Sequence, residues 1–165
     1  MDRDELTAAQ APLKDRYRDD PAAAVVTLEA SGELGAGITC SVRTGSAMVE
    51  AGLHPATGGD GRSACSGDML LQALVACSGV TMRSVATSLG IDVDGRVRAE
   101  GDLDFTGTLG VDRDAPVGFT DIRLSFELTS DADEDLLATL LRLTERYCVV
   151  LQTLATPPRL AVAVV

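Results

Sequence analysis

One apolar run constrains this chain more than any other feature. The segment Asp68-Met-Leu-Leu-Gln-Ala-Leu-Val-Ala-Cys-Ser-Gly-Val-Thr-Met-Arg-Ser-Val-Ala86 carries apolar and small side chains on most helical faces up to Val80. Gly90 stops the pattern, which predicts one helix running to about Leu89. Ser66 is placed to cap it, with Asp68 in the first turn where negative charge suits the helix dipole. A helix apolar on so many sides belongs at the centre of a fold, with other elements arranged around it.

The remaining composition agrees with a fine-grained core. The chain has 165 residues, no Trp, two Tyr and three Phe, which leaves Ala, Val and Leu to fill the interior. A single domain of this size buries about two-thirds of its unfolded surface. The formal net charge of −11 offers phosphate no basic footprint, and so few aromatics cannot form a base-stacking platform, so nucleic acid is not an expected partner. The N-terminus is charged and leads into no signal-type apolar core, and the longest apolar stretch is about a dozen residues around Met69–Ala76. That is short of the ~20 needed to cross a bilayer, so a cytoplasmic protein without membrane partners is expected. In that compartment four cysteines read as reduced, catalytic or simply buried.

Around the central run the chain predicts an N-terminal helical arm over residues 1–20, kinked at Pro12, and a domain over residues 21–165. Ala23–Ala30 and Ile38–Thr44 read as strands joined by the loop Ser31–Gly37, with a short third strand near Ala47–Glu50. Residues 51–67 form a Gly-rich loop without the Gly-Lys-Ser/Thr of a phosphate cradle. Strands are expected over Val93–Phe105 and Thr120–Thr129, and a helix over Asp133–Tyr147 with Leu136, Leu137, Leu140, Leu141 and Leu143 on its apolar side. Leu160–Val165 reads as a final strand. Strands, helix, strands, helix, strand is an α+β order.

The chemistry rests on cysteines. Cys77 lies midway along the central run, sharing a side with Leu70, Ala73, Leu74, Val80, Thr81 and Ser84 at about 100° per residue. Cys148 follows the second long helix and precedes Val149-Val-Leu-Gln-Thr-Leu154. If the fold joins them, one thiol can attack a peroxide and the other resolve the product. Each also has a plain alternative: Cys77 as a small buried hydrophobe and Cys148 as a corner filler. Mid-helix, Cys77 gains little from its own helix dipole, so a low pKa requires a neighbour such as Arg43, Arg83, Arg16 or Arg18. At the start of a following helix, backbone N–H groups would favour a Cys148 thiolate. Cys40, alternating with Ile38 and Val42, reads as core, and Cys65 as a loop residue packed under the helix. A zinc site is not expected, because the cysteines are separated by 25, 12 and 71 positions and the single histidine, His54, precedes a proline. A hydrolytic triad is equally unsupported.

The segment Ser66–Leu89 resembles the central-helix motif of the OsmC/Ohr family, and Tyr147-Cys-Val-Val-Leu-Gln-Thr-Leu154 is similar to its second-cysteine segment. The order of elements over residues 23–165 fits as well. The resemblance implies an OsmC-like α+β fold with antiparallel sheets wrapped around central helices in an intertwined homodimer. It implies a peroxidase that reduces small organic hydroperoxides or hydrogen peroxide with no metal or organic cofactor. Cys77 would be the peroxidatic residue, Cys148 the resolving one, and an external dithiol the reductant. Three positions depart from the family pattern. Val149 stands where Cys-Pro is usual, the hairpin Ser31–Gly37 lacks the arginine of the organic-peroxide branch, and Gly67 occupies that branch's glutamate position. Asp68, which matches an acidic position of other branches, lies about 180° around the helix from Cys77. The rival expectation is a binding protein that uses a dimer-interface cleft lined by Leu70, Leu74 and their neighbours for a small apolar or thiol-reactive ligand.

Overall fold

The computed structural model describes residues 2–25, 27, 31–34, 39–44 and 47–164. In chain order the elements are α1 (Arg3–Asp19), β1 (Ser31–Leu34), β2 (Thr39–Thr44), β3 (Ala47–Gly52), β4 (Ala64–Cys65) and α2 (Ser66–Leu89). There follow β5 (Asp94–Leu103), the helical turn α3 (Phe105–Thr108), β6 (Phe119–Thr129), α4 (Glu134–Tyr147) and α5 (Val149–Ala155). The chain packs as two units, one taking Met1–Pro12, Ala73–Arg98 and Leu124–Val165, the other Leu13–Gln72 and Ala99–Arg123.

The first unit contains most of α2. Leu74, Ser78, Met82 and Ala86 recur every fourth residue and form its buried line. Met82 and Ala86 meet Val93 and Leu140 in a core extended by Val85, Leu89, Ile91, Phe126, Leu128 and Leu137. Leu74 and Leu140 are fully enclosed, each worth about 2 kcal/mol by burial of its side chain. One flank of α2 is open, with Val80 72% exposed. By length and composition α2 is also apolar enough to cross a membrane, against the dozen-residue estimate from the sequence. Its buried line and shared core are those of a helix within a folded unit. The helix ends as expected: Gly90 adopts φ 72°, its N–H bonds to Thr87 O at 3.2 Å, and Ile91 N–H reaches Ala86 O at 3.1 Å. Asp133 caps α4 by accepting the Leu136 N–H at 2.8 Å. Leu141, expected on the apolar side of α4, is 38% exposed.

In the second unit β1, β2, β3 and β4 form one sheet in that order, antiparallel except for the parallel pair Ala51–Ala64 and Gly52–Cys65. β5 and β6 form a separate pair in which partly buried residues alternate with exposed ones, as their sequences predict. The Phe119 ring lies over Gly101, where an added Cβ would come within 2.5 Å of Cε1.

Several boundaries differ from expectation, among them the Gly-rich loop over residues 51–67, which β3 enters as far as Gly52 and which holds β4, so that Cys65 is a strand residue through pairing with β3 and not a loop residue. Pro21–Ala24 forms a 3-10 turn, since proline fixes a turn-compatible φ and alanine favours helical backbone, while residues 26 and 28–30 of the expected first strand lie outside the description. Ser31–Leu34, expected as loop, is a strand because β2 pairs with it; strand formation here follows the neighbour more than propensity. The strand through Phe105 stops at Leu103, because Asp104 accepts the Thr106 N–H at 2.9 Å and starts a helical turn. Residues 156–164 form no strand, and Val162 and Val164 lie wholly exposed: an alternating pattern needs an edge to pair with. α1 forms as expected and continues through Pro12.

Candidate functional site

The site is built at the break between α4 and α5. Cys148 adopts extended backbone, φ −72° and ψ 106°, and serves as the last residue of one helix cap and the first of the next. Its N–H bonds to Thr144 O at 2.9 Å, and its C=O accepts the Gln152 N–H at 2.9 Å, the first helical bond of α5. The Gln152 side chain ties the second helix back to the first through Glu145 O at 2.8 Å. The first amides of a helix have no carbonyl partner inside it, so those of Val149, Val150 and Leu151 are free to face the two sulfurs.

Cys77 and Cys148 lie in the same unit, close enough that each thiol bears on the other's ionisation. Both thiols are free; Cys148 is fully buried and Cys77 partly exposed. Burial by itself pushes the Cys77 thiol up. The Val150 amide, the Cys148 thiol, the Val149 amide and the Thr81 hydroxyl outweigh it, so Cys77 ionises below the ordinary thiol range. Cys148 moves the opposite way: burial raises it, the hydrogen bond and charge of Cys77 add to the rise, and the Leu151 and Val150 amides offset only part. The pair is therefore polarised into one readily ionised, reachable sulfur and one reluctant, enclosed sulfur.

No arginine whose side chain is described enters this balance. Arg83 bonds to Val93 O at 2.6 Å and lies 3.6 Å from the Asp94 carboxylate, while Arg18 pairs with Asp15. Arg16 lies exposed on α1, and the Arg43 side chain falls outside the description. The expectation that α5 amides serve Cys148 holds only in part, since Val149 and Val150 act on Cys77. The action of these amides and of Thr81 on Cys77 is what sequence reasoning missed. The signal was present: a proline at position 149 would have no N–H to offer.

The other candidates stand apart from this chemistry. Cys65 ends β4, and its Sγ converges with Phe119 and Leu103 on the space above Gly67. Cys40 lies in β2 opposite Leu34 and Ala51, its side chain outside the description. His54 is engaged in a turn, its Nδ1 accepting the Ala56 N–H at 3.1 Å and its ring stacked on Phe105 at 5.2 Å. No group of three or more potential ligands for a metal occurs among the described residues. Leu74 is fully buried, and hollows of about 520 and 240 Å³ are lined by residues such as Asp94, Arg96 and Leu128, the smaller also by Gly79 and Met82.

Solved structures resemble this fold over most of its length. An OsmC-like protein from Mycoplasma pneumoniae matches with a TM-score of 0.67 at 16% identity, covering 80% of this chain and 89% of that one. A Legionella pneumophila structure described as an organic hydroperoxide resistance protein and predicted redox protein gives 0.59 at 16% identity, over 80% and 91%. The organic hydroperoxide resistance protein of Bacillus subtilis gives 0.51 at 15% identity, over 80% and 93%. At these identities the likeness establishes the α+β fold. No curated protein matches the sequence. The family model described as OsmC-like protein matches residues 59–163, which takes in both cysteines of the pair and the helices that carry them, and the chain belongs to that family.

Proposed function

We propose that this protein is a thiol-dependent peroxidase that reduces small organic hydroperoxides or hydrogen peroxide. The observation that carries this reading is the polarised pair: a partly exposed Cys77 held toward the thiolate by two amides, a hydroxyl and the Cys148 thiol. The Cys77 thiolate attacks the terminal peroxide oxygen, the O–O bond breaks, and the leaving alkoxide or hydroxide takes a proton. Cys77 becomes a sulfenic acid. Cys148 then attacks that sulfur, water leaves, and a Cys77–Cys148 disulfide forms. An external dithiol returns both thiols and is itself oxidised to a cyclic disulfide. The sequence of steps calls on no metal or organic cofactor.

The active form is an intertwined homodimer in the cytoplasm. The open apolar flank of α2 at Val80 and the unpaired Leu160, Val162 and Val164 are surfaces that a second copy would cover. The test is intact-mass spectrometry after one equivalent of cumene hydroperoxide, followed by peptide mapping. Formation of a Cys77–Cys148 disulfide within seconds is expected; thiols left unmodified overturn the proposal.

A further inference from the structure

We propose that the regenerating dithiol enters the Cys77–Cys148 disulfide at the Cys77 sulfur, so that Cys148 is the sulfur expelled. The inference rests on that disulfide and adds the direction of its reduction. Thiol–disulfide exchange needs the incoming sulfur in line with the S–S bond, on the far side of the sulfur attacked. Cys148 gives no such approach. It is 0% exposed, in the same enclosed set as Leu74, Ser78, Leu140 and Thr144, and its backbone is fixed on both sides by the bonds to Thr144 and Gln152. Cys77 is partly exposed.

Leaving-group chemistry points the other way, so magnitudes decide. Cys77 ionises more readily and Cys148 less readily than an ordinary thiol, which makes Cys77 the better leaving group and Cys148 the electronically preferred point of attack. With a Brønsted coefficient of about 0.5, that preference is roughly threefold per pKa unit. Reaching an enclosed sulfur instead requires local opening at the α4–α5 junction, where Leu140, Thr144 and Cys148 are all enclosed, and only the opened fraction can react. Access wins. The Leu151 and Val150 amides are in place to receive the charge that develops on Cys148 as it leaves.

Every bond is accounted for. The reductant thiolate bonds to Cys77 Sγ, the Cys77–Cys148 bond breaks, and Cys148 takes up a proton. The second reductant thiol then attacks the reductant's own sulfur and releases the Cys77 thiolate, leaving a cyclic disulfide. The released Cys148 remains beside the mixed disulfide and can close it again, so an intermediate must be trapped early.

The test forms the protein disulfide with diamide, which needs no peroxidase activity, and removes excess oxidant. A brief pulse of 2-mercaptoethanol is stopped with N-ethylmaleimide in denaturant, and the peptides are mapped at the earliest times. The expected result is mercaptoethanol on Cys77 and maleimide on Cys148, in at least roughly tenfold excess over the reverse pattern. Mercaptoethanol on Cys148, or on both in similar amounts, overturns the inference, as does a protein that diamide cannot cross-link at these positions. Failure of the peroxidase reading shows separately, as a protein that diamide cross-links and cumene hydroperoxide leaves unchanged.

Discussion

Cys65 and Cys148 stand at comparable places, each just before a helix, and their surroundings differ completely. Cys65 ends a strand, in a corner shared with Gly67, Leu103 and Phe119. Cys148 separates two helices, and the amides that open α5 bear on it and on Cys77. Helix starts are common, so what distinguishes the second place is a neighbouring thiol within reach of the same amides. On the proposed reading, reactivity belongs to an arrangement of two helices and not to a residue type or its local sequence.

The comparison breaks most decisively at the proposed nucleophile, Cys77. Cys77→Ser is expected to lower dithiol-dependent peroxide consumption by more than about 100-fold, because a serine hydroxyl is not appreciably ionised near neutral pH. Cys65→Ser is expected to stay within about twofold of the parent, its sulfur being a packing atom. A coupled peroxide-consumption assay on both variants checks this. Retained activity in Cys77→Ser, or loss in Cys65→Ser, would reverse the assignment of the two regions.

A smaller effect separates the contribution of Cys148 from that of the amides. Cys148→Ala removes a hydrogen-bond donor that favours the Cys77 thiolate, so the Cys77 pKa should rise. The sign follows directly: fewer thiolates at a given pH mean slower iodoacetamide alkylation near neutrality and a rate profile displaced to higher pH. The Val149 and Val150 amides remain, so the midpoint should still fall below that of the same thiol in the unfolded chain. A midpoint displaced downward would show that Cys148 acts on Cys77 mainly by burying it.

Much of this was legible in the sequence, for identifiable reasons. The limits of α2 follow from an unbroken apolar run and a glycine free to adopt φ 72°, and those of α4 from Asp133 and the leucine spacing. Both are local signals. The strand at Ser31–Leu34 was not legible because it exists through pairing with β2, and Leu160–Val165 misled because its alternation states what could pair without supplying an edge. At the candidate site, the two cysteines were singled out from their settings and family likeness, and the fold places both in one unit. Their activation was sought in arginines because a charge can be read from a sequence, whereas the direction of an amide cannot. Position 149 was the exception, since the presence of an N–H there depends only on its not being proline.

The smallest effect lies one helical turn before Cys148. Thr144 is 1% exposed, and its hydroxyl is the buried side-chain polar atom without a hydrogen-bond partner among the described residues. Its carbonyl holds the Cys148 N–H, so the residue is needed for the junction through its backbone and not through its hydroxyl. Thr144→Val keeps the shape and branching while removing the unpaired group, and should stabilise the fold by about 1 kcal/mol. Urea denaturation followed by circular dichroism would show this as a higher midpoint with an unchanged slope. A lower midpoint would mean that the hydroxyl is paired in the assembled protein, through water or a second copy. The α4–α5 junction would then be more completely satisfied than the single chain displays, and the contrast with the Cys65 corner would rest on the paired thiols and the α5 amides alone.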